Sequence, residues 1–324
     1  MENIQTKVST PTKQKTSFKF IAKIIIALAL MYFLINYVQF NEIILALENA
    51  NKEIIFVVFL LSFVNVYLQF LKWKVMCNSL LNVTDDNKIW RSLFYGFSGG
   101  IATPIRVGEY VGRAIPFENA SLVKVTISTI LEKFASLFLV LLLGGFAGIY
   151  FIDKFYSFIY AVPVLILVVG LGLIVVALVK GFNLISTFLN RLANRYAFFE
   201  KLLSEVKLLK QLGKTSLNKL LFYSFLFYAV YILQYALLAM SFSNSGNLLE
   251  FIWAGTLVMF AKSFLSFISF ADLGIRETAS VFVLNKMGFA KAIGFNAAIF
   301  LFLFNLLIPS IIGLFLLFKK DNAE

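Results

Sequence analysis

The chain has 324 residues, of which 60% are hydrophobic and 14% charged, against roughly 45–50% and 25% in soluble globular proteins. With a mean hydropathy of +0.87, neither a soluble domain nor a disordered chain fits, and the long unbroken apolar runs are unlike the alternating segments of a β-barrel. A net charge of +12, from 29 Lys+Arg and 17 Asp+Glu, then reads as basic cytoplasmic loops beside anionic lipid and not as a nucleic-acid surface.

The composition also limits the chemistry. Cys77 is the one cysteine and there is no histidine. An internal disulfide, a thiolate or imidazole metal site, a Ser-His triad and a histidine proton relay are therefore excluded. No metal and no cofactor is expected, and hydrolytic enzymology is disfavoured. A phosphate-binding loop of the Gly-x4-Gly-Lys-Ser/Thr type is absent too, so ATP-driven chemistry is not expected.

In chain order, a polar basic tail over 1–19 precedes an apolar run at about 24–40. That run has no small-residue cleavage site and reads as an uncleaved anchor. Further apolar runs lie at about 54–71, 123–152, 155–179, 218–242 and 291–318, each near the roughly 20 residues that cross a bilayer. Two stretches are ambiguous: about 89–104, with Gly96, Gly99, Gly100 and Pro104, and about 250–271, ending at Asp272.

Charge separates the alternatives. The segment 180–219 carries eight positive and two negative residues and belongs on the cytoplasmic side by the positive-inside rule. Its apolar residues recur at helical spacing over about 181–215, as in an amphipathic helix on the inner surface or a solvated linker helix. The acidic connection 41–53 belongs outside and the basic stretch 72–91 inside. These assignments agree only if 89–104 and 250–271 each dip in and return. The predicted architecture is all-α and polytopic, with about six full spans and two re-entrant helical hairpins that enter from opposite faces. Its repeat halves are about 54–179 and 218–318, both termini are cytoplasmic, and 319–324 forms a short tail.

Each hairpin carries a breaker followed by Gly, Arg and Glu. The first runs Thr103-Pro104-Ile105-Arg106-Val107-Gly108-Glu109-Tyr110-Val111-Gly112-Arg113, the second Phe270-Ala271-Asp272-Leu273-Gly274-Ile275-Arg276-Glu277. Gly99, Gly100, Pro104, Gly108, Asp272 and Gly274 are read as hairpin breakers, since free backbone at membrane depth is tolerated only where it lines a cavity or is buried in protein. Arg106, Glu109 and Arg113 share one helical face by spacing, whereas Arg276 and Glu277 are adjacent and do not. Glu132 and Lys133 sit in apolar sequence, with Glu132 about 14 Å along a helix that starts near Val123. Ionisable residues at that depth are candidate functional groups. One reading pairs these charges with each other to hold the hairpins together. In the other, arginines meet an anionic headgroup, for which their planar fork is suited, while Glu109, Glu132 and Glu277 orient them or carry a proton. Asn65 and Gln69, one turn apart, read as interhelical hydrogen-bonders.

Pro104-Ile105-Arg106-Val107-Gly108-Glu109-Tyr110-Val111-Gly112-Arg113-Ala114, followed by Leu131-Glu132-Lys133, resembles the lysylphosphatidylglycerol synthase transmembrane-region family, also called flippase-like domain proteins. Its pattern is Pro-Gly-Arg-x-Gly-Glu/Asp-x-x-Arg and then Leu-Glu-Arg. Asp272-Leu273-Gly274-Ile275-Arg276-Glu277-Thr278-Ala279 resembles its Gly-Gly-Leu-Gly-x-Arg-Glu-Ala. Ile105, Lys133 and the triplet Phe270-Ala271-Asp272 depart from those patterns. The resemblance covers about 20–318. It implies a stand-alone member without an aminoacyl-transfer domain that moves an anionic phospholipid or polyprenyl-phosphate lipid between leaflets, in a bacterial cytoplasmic membrane. Arg106, Arg113, Arg276 and Lys133 are then the expected headgroup contacts. Membrane lipid is the expected partner, with a lipid-modifying enzyme alongside, and nucleic acid is not. The competing readings are a glycosyltransferase or accessory factor using a polyprenyl-phosphate sugar, with Glu109 and Glu132 as its carboxylates, and a non-catalytic membrane scaffold.

Overall fold

A computed structural model describes residues 32, 36–103, 106–118, 120–166, 168–170, 212–244, 247–265 and 274–321. The expected anchor at 24–40 lies largely outside these residues. So do the expected span 155–179 beyond residue 170, the amphipathic segment 181–215 up to residue 211, and the expected breakers Pro104 and Asp272.

The described residues form helices α1 (Phe40–Glu48), α2 (Lys52–Met76), α3 (Asp86–Ile101), α4 (Val107–Ala114), α5 (Leu122–Phe155), α6 (Lys214–Ser243), α7 (Leu248–Leu265), α8 (Ile275–Lys286), α9 (Lys291–Phe302) and α10 (Ile308–Asp321). Side-chain caps set several starts: Asn51 Oδ1 accepts from the Glu53 and Ile54 amides, Asp85 Oδ1 from those of Asn87 and Lys88, and Ser121 Oγ from Lys124. Such caps satisfy amides that have no intrahelical acceptor. Four continuous helical stretches are long and apolar enough to cross a membrane: Lys52–Leu81, Leu122–Phe155, Lys214–Ser243 and Lys291–Lys319. They match four of the six expected spans. The last is continuous because a wide π-turn, Leu303–Leu307, joins α9 to α10. Pro309 has no amide to offer the carbonyl four residues earlier, and the widened turn absorbs that mismatch.

The ends of the helices sort into two groups. At one end, the turn after α2 meets the start of α6 through Ser79 and Ser216, 2.8 Å apart, and residues of 81–88 and 116–120 line one cavity. At the other, the Asn51 amide donates to Ser241 O and Asn244 Nδ2 to Asn49 O, while Tyr150, Glu250 and Met287 line one cavity. We call these the first and second ends. The helix α3 starts at the first end, and α4, packed against it, finishes there. Helix α7 starts at the second end, and α8, packed against it, finishes there. Both ambiguous stretches are thus helical pairs that turn back, and they do so toward opposite ends. By rise alone α3 is about 24 Å long, short of the roughly 30 Å of hydrocarbon.

The tip of the first pair differs from expectation in detail. Gly99 and Gly100 do not break a helix: both lie within α3, and Gly108 lies within α4. They serve as contact surface. A Cβ on Gly99 would run into the Gly108 carbonyl, and one on Gly108 into the Gly99 carbonyl, so side chains on either helix would force the pair apart. The reversal itself is held by Thr103, whose Oγ1 donates to Gly99 O at 2.8 Å and accepts from the Gly108 amide at 2.6 Å. Arg106 completes it in the left-handed region at φ 57°. Gly274 does act at a turn, with φ 85° just before α8.

Between the pairs the core is apolar with a few polar links. Asn65 Nδ2 donates to Gln234 Oε1 at 2.9 Å, and Gln234 Nε2 to Val58 O. Asn65 is therefore an interhelical hydrogen-bonder, as its position in an apolar span suggests.

Candidate functional site

Six charged side chains from α2, α4 and α5, with Arg106 just ahead of α4, meet in one network. Glu109 is at its centre. Its Oε1 accepts from Arg113 Nη2 at 2.9 Å. Its Oε2 lies 3.0 Å from Arg106 Nη2 and 2.6 Å from Lys133 Nζ. Glu132 takes the other side: Oε2 accepts from Arg113 Nη1 at 2.8 Å, and Oε1 lies 2.6 Å from Lys72 Nζ. Spacing accounts for the first part, since Arg106, Glu109 and Arg113 do share a face although Arg106 precedes the helix. Three glycines of α3 make room for that face. A Cβ on Gly96 would crowd Arg113 Cγ at 2.6 Å, and one on Gly100 would sit 3.2 Å from Arg106 Nε.

Supporting contacts fix the network in place. Arg113 lies over the Trp73 ring at 4.5 Å. Trp73 Nε1 donates to Ser92 Oγ, which donates to the Arg113 carbonyl at 2.6 Å, tying α2, α3 and α4 together. Lys72 also donates to Ser136 Oγ at 2.6 Å and faces the Phe227 ring. Glu132 lies ten residues into α5, about 15 Å from its start at the first end, close to half the thickness of a bilayer's hydrocarbon. Charges are tolerated there because they pair inside the bundle.

Exposure divides the six into two classes. The side chains of Glu109, Arg113, Lys72 and Glu132 are 2%, 3%, 3% and 4% exposed, while Arg106 and Lys133 are 22% and 36% exposed. Both exposed cations reach the same oxygen, Glu109 Oε2. Arg106 Nε has no hydrogen-bond partner among the described residues, and Lys133 stands 5.5 Å from the Tyr110 ring centroid. Among the described residues four cations face two carboxylates, two more positive charges than negative, and the more accessible cations stand along one edge.

Lys72 is a member that sequence reasoning missed. The expected span stops at 71 and Lys72 falls in the basic stretch 72–91, whereas α2 continues to Met76. The available signal was its setting between Phe70-Leu71 and Trp73, a lysine inside an apolar run.

Arg276 and Glu277, in the second pair, are held by other residues. Glu277 Oε2 accepts from the Gly274 amide at 2.7 Å, closing the turn before α8. Arg276 donates from Nη1 to the Tyr231 hydroxyl at 3.1 Å, lies 5.4 Å from the Phe302 ring centroid, and brings Nη2 to 3.5 Å from Glu277 Oε1. Both are buried. Among the described residues no group of three or more Cys, Asp or Glu side chains is placed to hold a metal ion.

Chemically, the first network is a fixed cationic surface. Glu109 and Glu132 are each clasped by at least two cations.

No curated protein and no solved structure matches the chain. The family described as the lysylphosphatidylglycerol synthase TM region matches residues 20–313, which include both turned-back pairs and every member of the charged network. With its spanning helices and the motifs around Glu109, Glu132 and Glu277 in place, the chain is an integral membrane protein of the flippase-like kind and belongs to the lysylphosphatidylglycerol synthase TM-region family.

Proposed function

We propose that this protein carries an anionic lipid, of the phospholipid or polyprenyl-phosphate type, from one leaflet to the other, and that Arg106 and Lys133 receive its phosphate. The observation that carries this reading is the charge imbalance of the network, with its two excess positive charges at mid-bundle depth and its more accessible cations side by side on Glu109 Oε2. A phosphate arriving at that edge completes the neutralisation. Arg113, Lys72 and Glu132 form the buried support in this scheme, not the contact surface. The tails remain in lipid while the headgroup passes the edge. Arg276 belongs to the opposite turned-back pair and acts through the turn it helps to hold.

The test is translocation of fluorescent phosphatidylglycerol in vesicles containing the purified full-length chain, read by quenching of outer-leaflet dye. The wild type should expose inner-leaflet dye faster than empty vesicles do. Arg106→Ala with Lys133→Ala should slow this about ten- to a hundredfold, as expected for charge-assisted hydrogen bonds of about 1.5–3 kcal/mol. Arg106→Lys should be intermediate, keeping charge without the bidentate fork. A correctly folded double variant that works at the wild-type rate would overturn the assignment.

A further inference from the structure

At the second end, opposite the base of the first pair, two cavities follow one another along the same helices. The upper one, about 320 Å³, is lined by residues that include Lys154, Phe155, Glu250, Trp253 and Met287. The lower one, about 540 Å³, is lined by apolar residues that include Leu257, Ala261, Val283 and Ala279. On α7, Trp253, Leu257 and Ala261 are spaced by four, and so are Ala279 and Val283 on α8 and Met287 at its C-cap. One stripe on each helix therefore runs from the upper cavity into the lower. Phe151 lies between them, its ring centroid 5.9 Å from that of Trp253 and 4.9 Å from that of Phe155. The order from the end inward is charged groups, aromatic collar, apolar groove. That is the order of polarity along a lipid molecule at a membrane interface.

The charges in the upper cavity narrow the headgroup. Lys154 Nζ sits over the Phe155 and Trp253 rings, 5.4 Å from each centroid, and these rings are stacked with 14° between their planes. Glu250 lines the same cavity, yet no ion pair joins it to Lys154 among the described residues. A cation held by rings and a carboxylate left to solvent, facing one space, match a ligand that carries a phosphate and an ammonium. At 320 Å³ the upper cavity is at the lower end of the roughly 300–1,000 Å³ usual for ligand pockets.

We propose that this end of the bundle binds a diacyl lipid with a zwitterionic phosphate–ammonium headgroup, the phosphate on Lys154, the ammonium on Glu250 and one acyl chain in the groove along α7 and α8. This site is distinct from the Glu109–Glu132 network and does not rest on the translocation reading.

Native mass spectrometry of the full-length chain in mild detergent, with equal amounts of phosphatidylethanolamine and phosphatidylglycerol of matched chains, tests it. The wild type should retain phosphatidylethanolamine. Glu250→Gln, at an exposed position, should lower that retention about tenfold, as for loss of a charge-assisted hydrogen bond, and leave phosphatidylglycerol unchanged. Lys154→Ala should lower both. Water-soluble phosphoethanolamine should fail to displace the lipid, because it brings no chain to the groove. Wild-type retention by Glu250→Gln would overturn the proposal. So would complete displacement by phosphoethanolamine, or loss of phosphatidylethanolamine on Arg106→Ala with Lys133→Ala while Glu250→Gln has no effect.

Discussion

Replacing Glu132 by Gln tests whether the buried network is held by charge. The substitution keeps the shape and removes the only carboxylate against Lys72 among the described residues. Arg113 still has Glu109 Oε1 at 2.9 Å and the Trp73 ring. Lys72 keeps Ser136 Oγ and the Phe227 ring, neither of them an anion, at 3% exposure. Removing one partner of a buried pair costs about 3–5 kcal/mol, and a lysine at the centre of a spanning helix costs about 2.5–3.5 kcal/mol on insertion scales. The two figures agree on about 3 kcal/mol of lost stability. Lys72→Met alone should cost less, since Glu132 keeps Arg113. Lys72→Met added to Glu132→Gln should restore most of the loss, because the orphaned ammonium is then gone. The assay is equilibrium unfolding of the purified chain in mixed micelles, analysed as a double-mutant cycle. A loss under about 1 kcal/mol for Glu132→Gln, well short of what breaking a buried pair costs, or losses that simply add in the double variant, which would show no coupling between the two side chains, would refute the reasoning.

Two further outcomes follow from the geometry. Gly108→Ala drives a methyl into the Gly99 carbonyl and against Thr103 Oγ1; it should destabilise the chain by about 1–3 kcal/mol in the same unfolding assay, whereas Gly213→Ala, with no neighbour within 4 Å among the described residues, should cost less. Loop charge predicts that the two ends face opposite sides of the membrane with 72–91 inside; on that orientation an impermeant thiol reagent added to intact cells should label Glu250→Cys and spare Lys88→Cys, and Cys77 is buried and gives little background. The reverse pattern would invert the orientation.

Much of this fold could be read from residues because membrane insertion imposes a coarse rule. Apolar length predicts the spans at 54–71, 123–152, 218–242 and 291–318; the last three match their helices to within a few residues at each end, whereas Lys52–Leu81 runs ten residues past its expected end, and side-chain caps at Asn51 and Ser121 set two of the starts. The turned-back pairs were legible only indirectly, through the sign of the loops on either side, because their own composition resembles a span. The glycines of α3 admit a neighbouring helix and do not break their own. Sequence gives their lack of a side chain, but whether that frees a turn or admits a neighbouring helix depends on what packs there. Lys72 was hidden by a boundary drawn at the first charge, although snorkelling and pairing both let a lysine sit within a helix. The pairing of Glu132 with Lys72 joins α5 to α2, sixty residues apart in the chain, and nothing in local spacing specifies such a contact.

Arg106 occupies a backbone position that suits another residue. At φ 57° a side chain costs about 1–2 kcal/mol that glycine avoids. Screens that rank variants by folded yield would therefore misjudge this site: Arg106→Gly relaxes the turn while deleting the guanidinium, and a more abundant, more heat-tolerant protein would emerge with the phosphate contact we propose missing. Selection for expression, as practised when membrane proteins are prepared for structural work, would favour the variant that least resembles the working molecule.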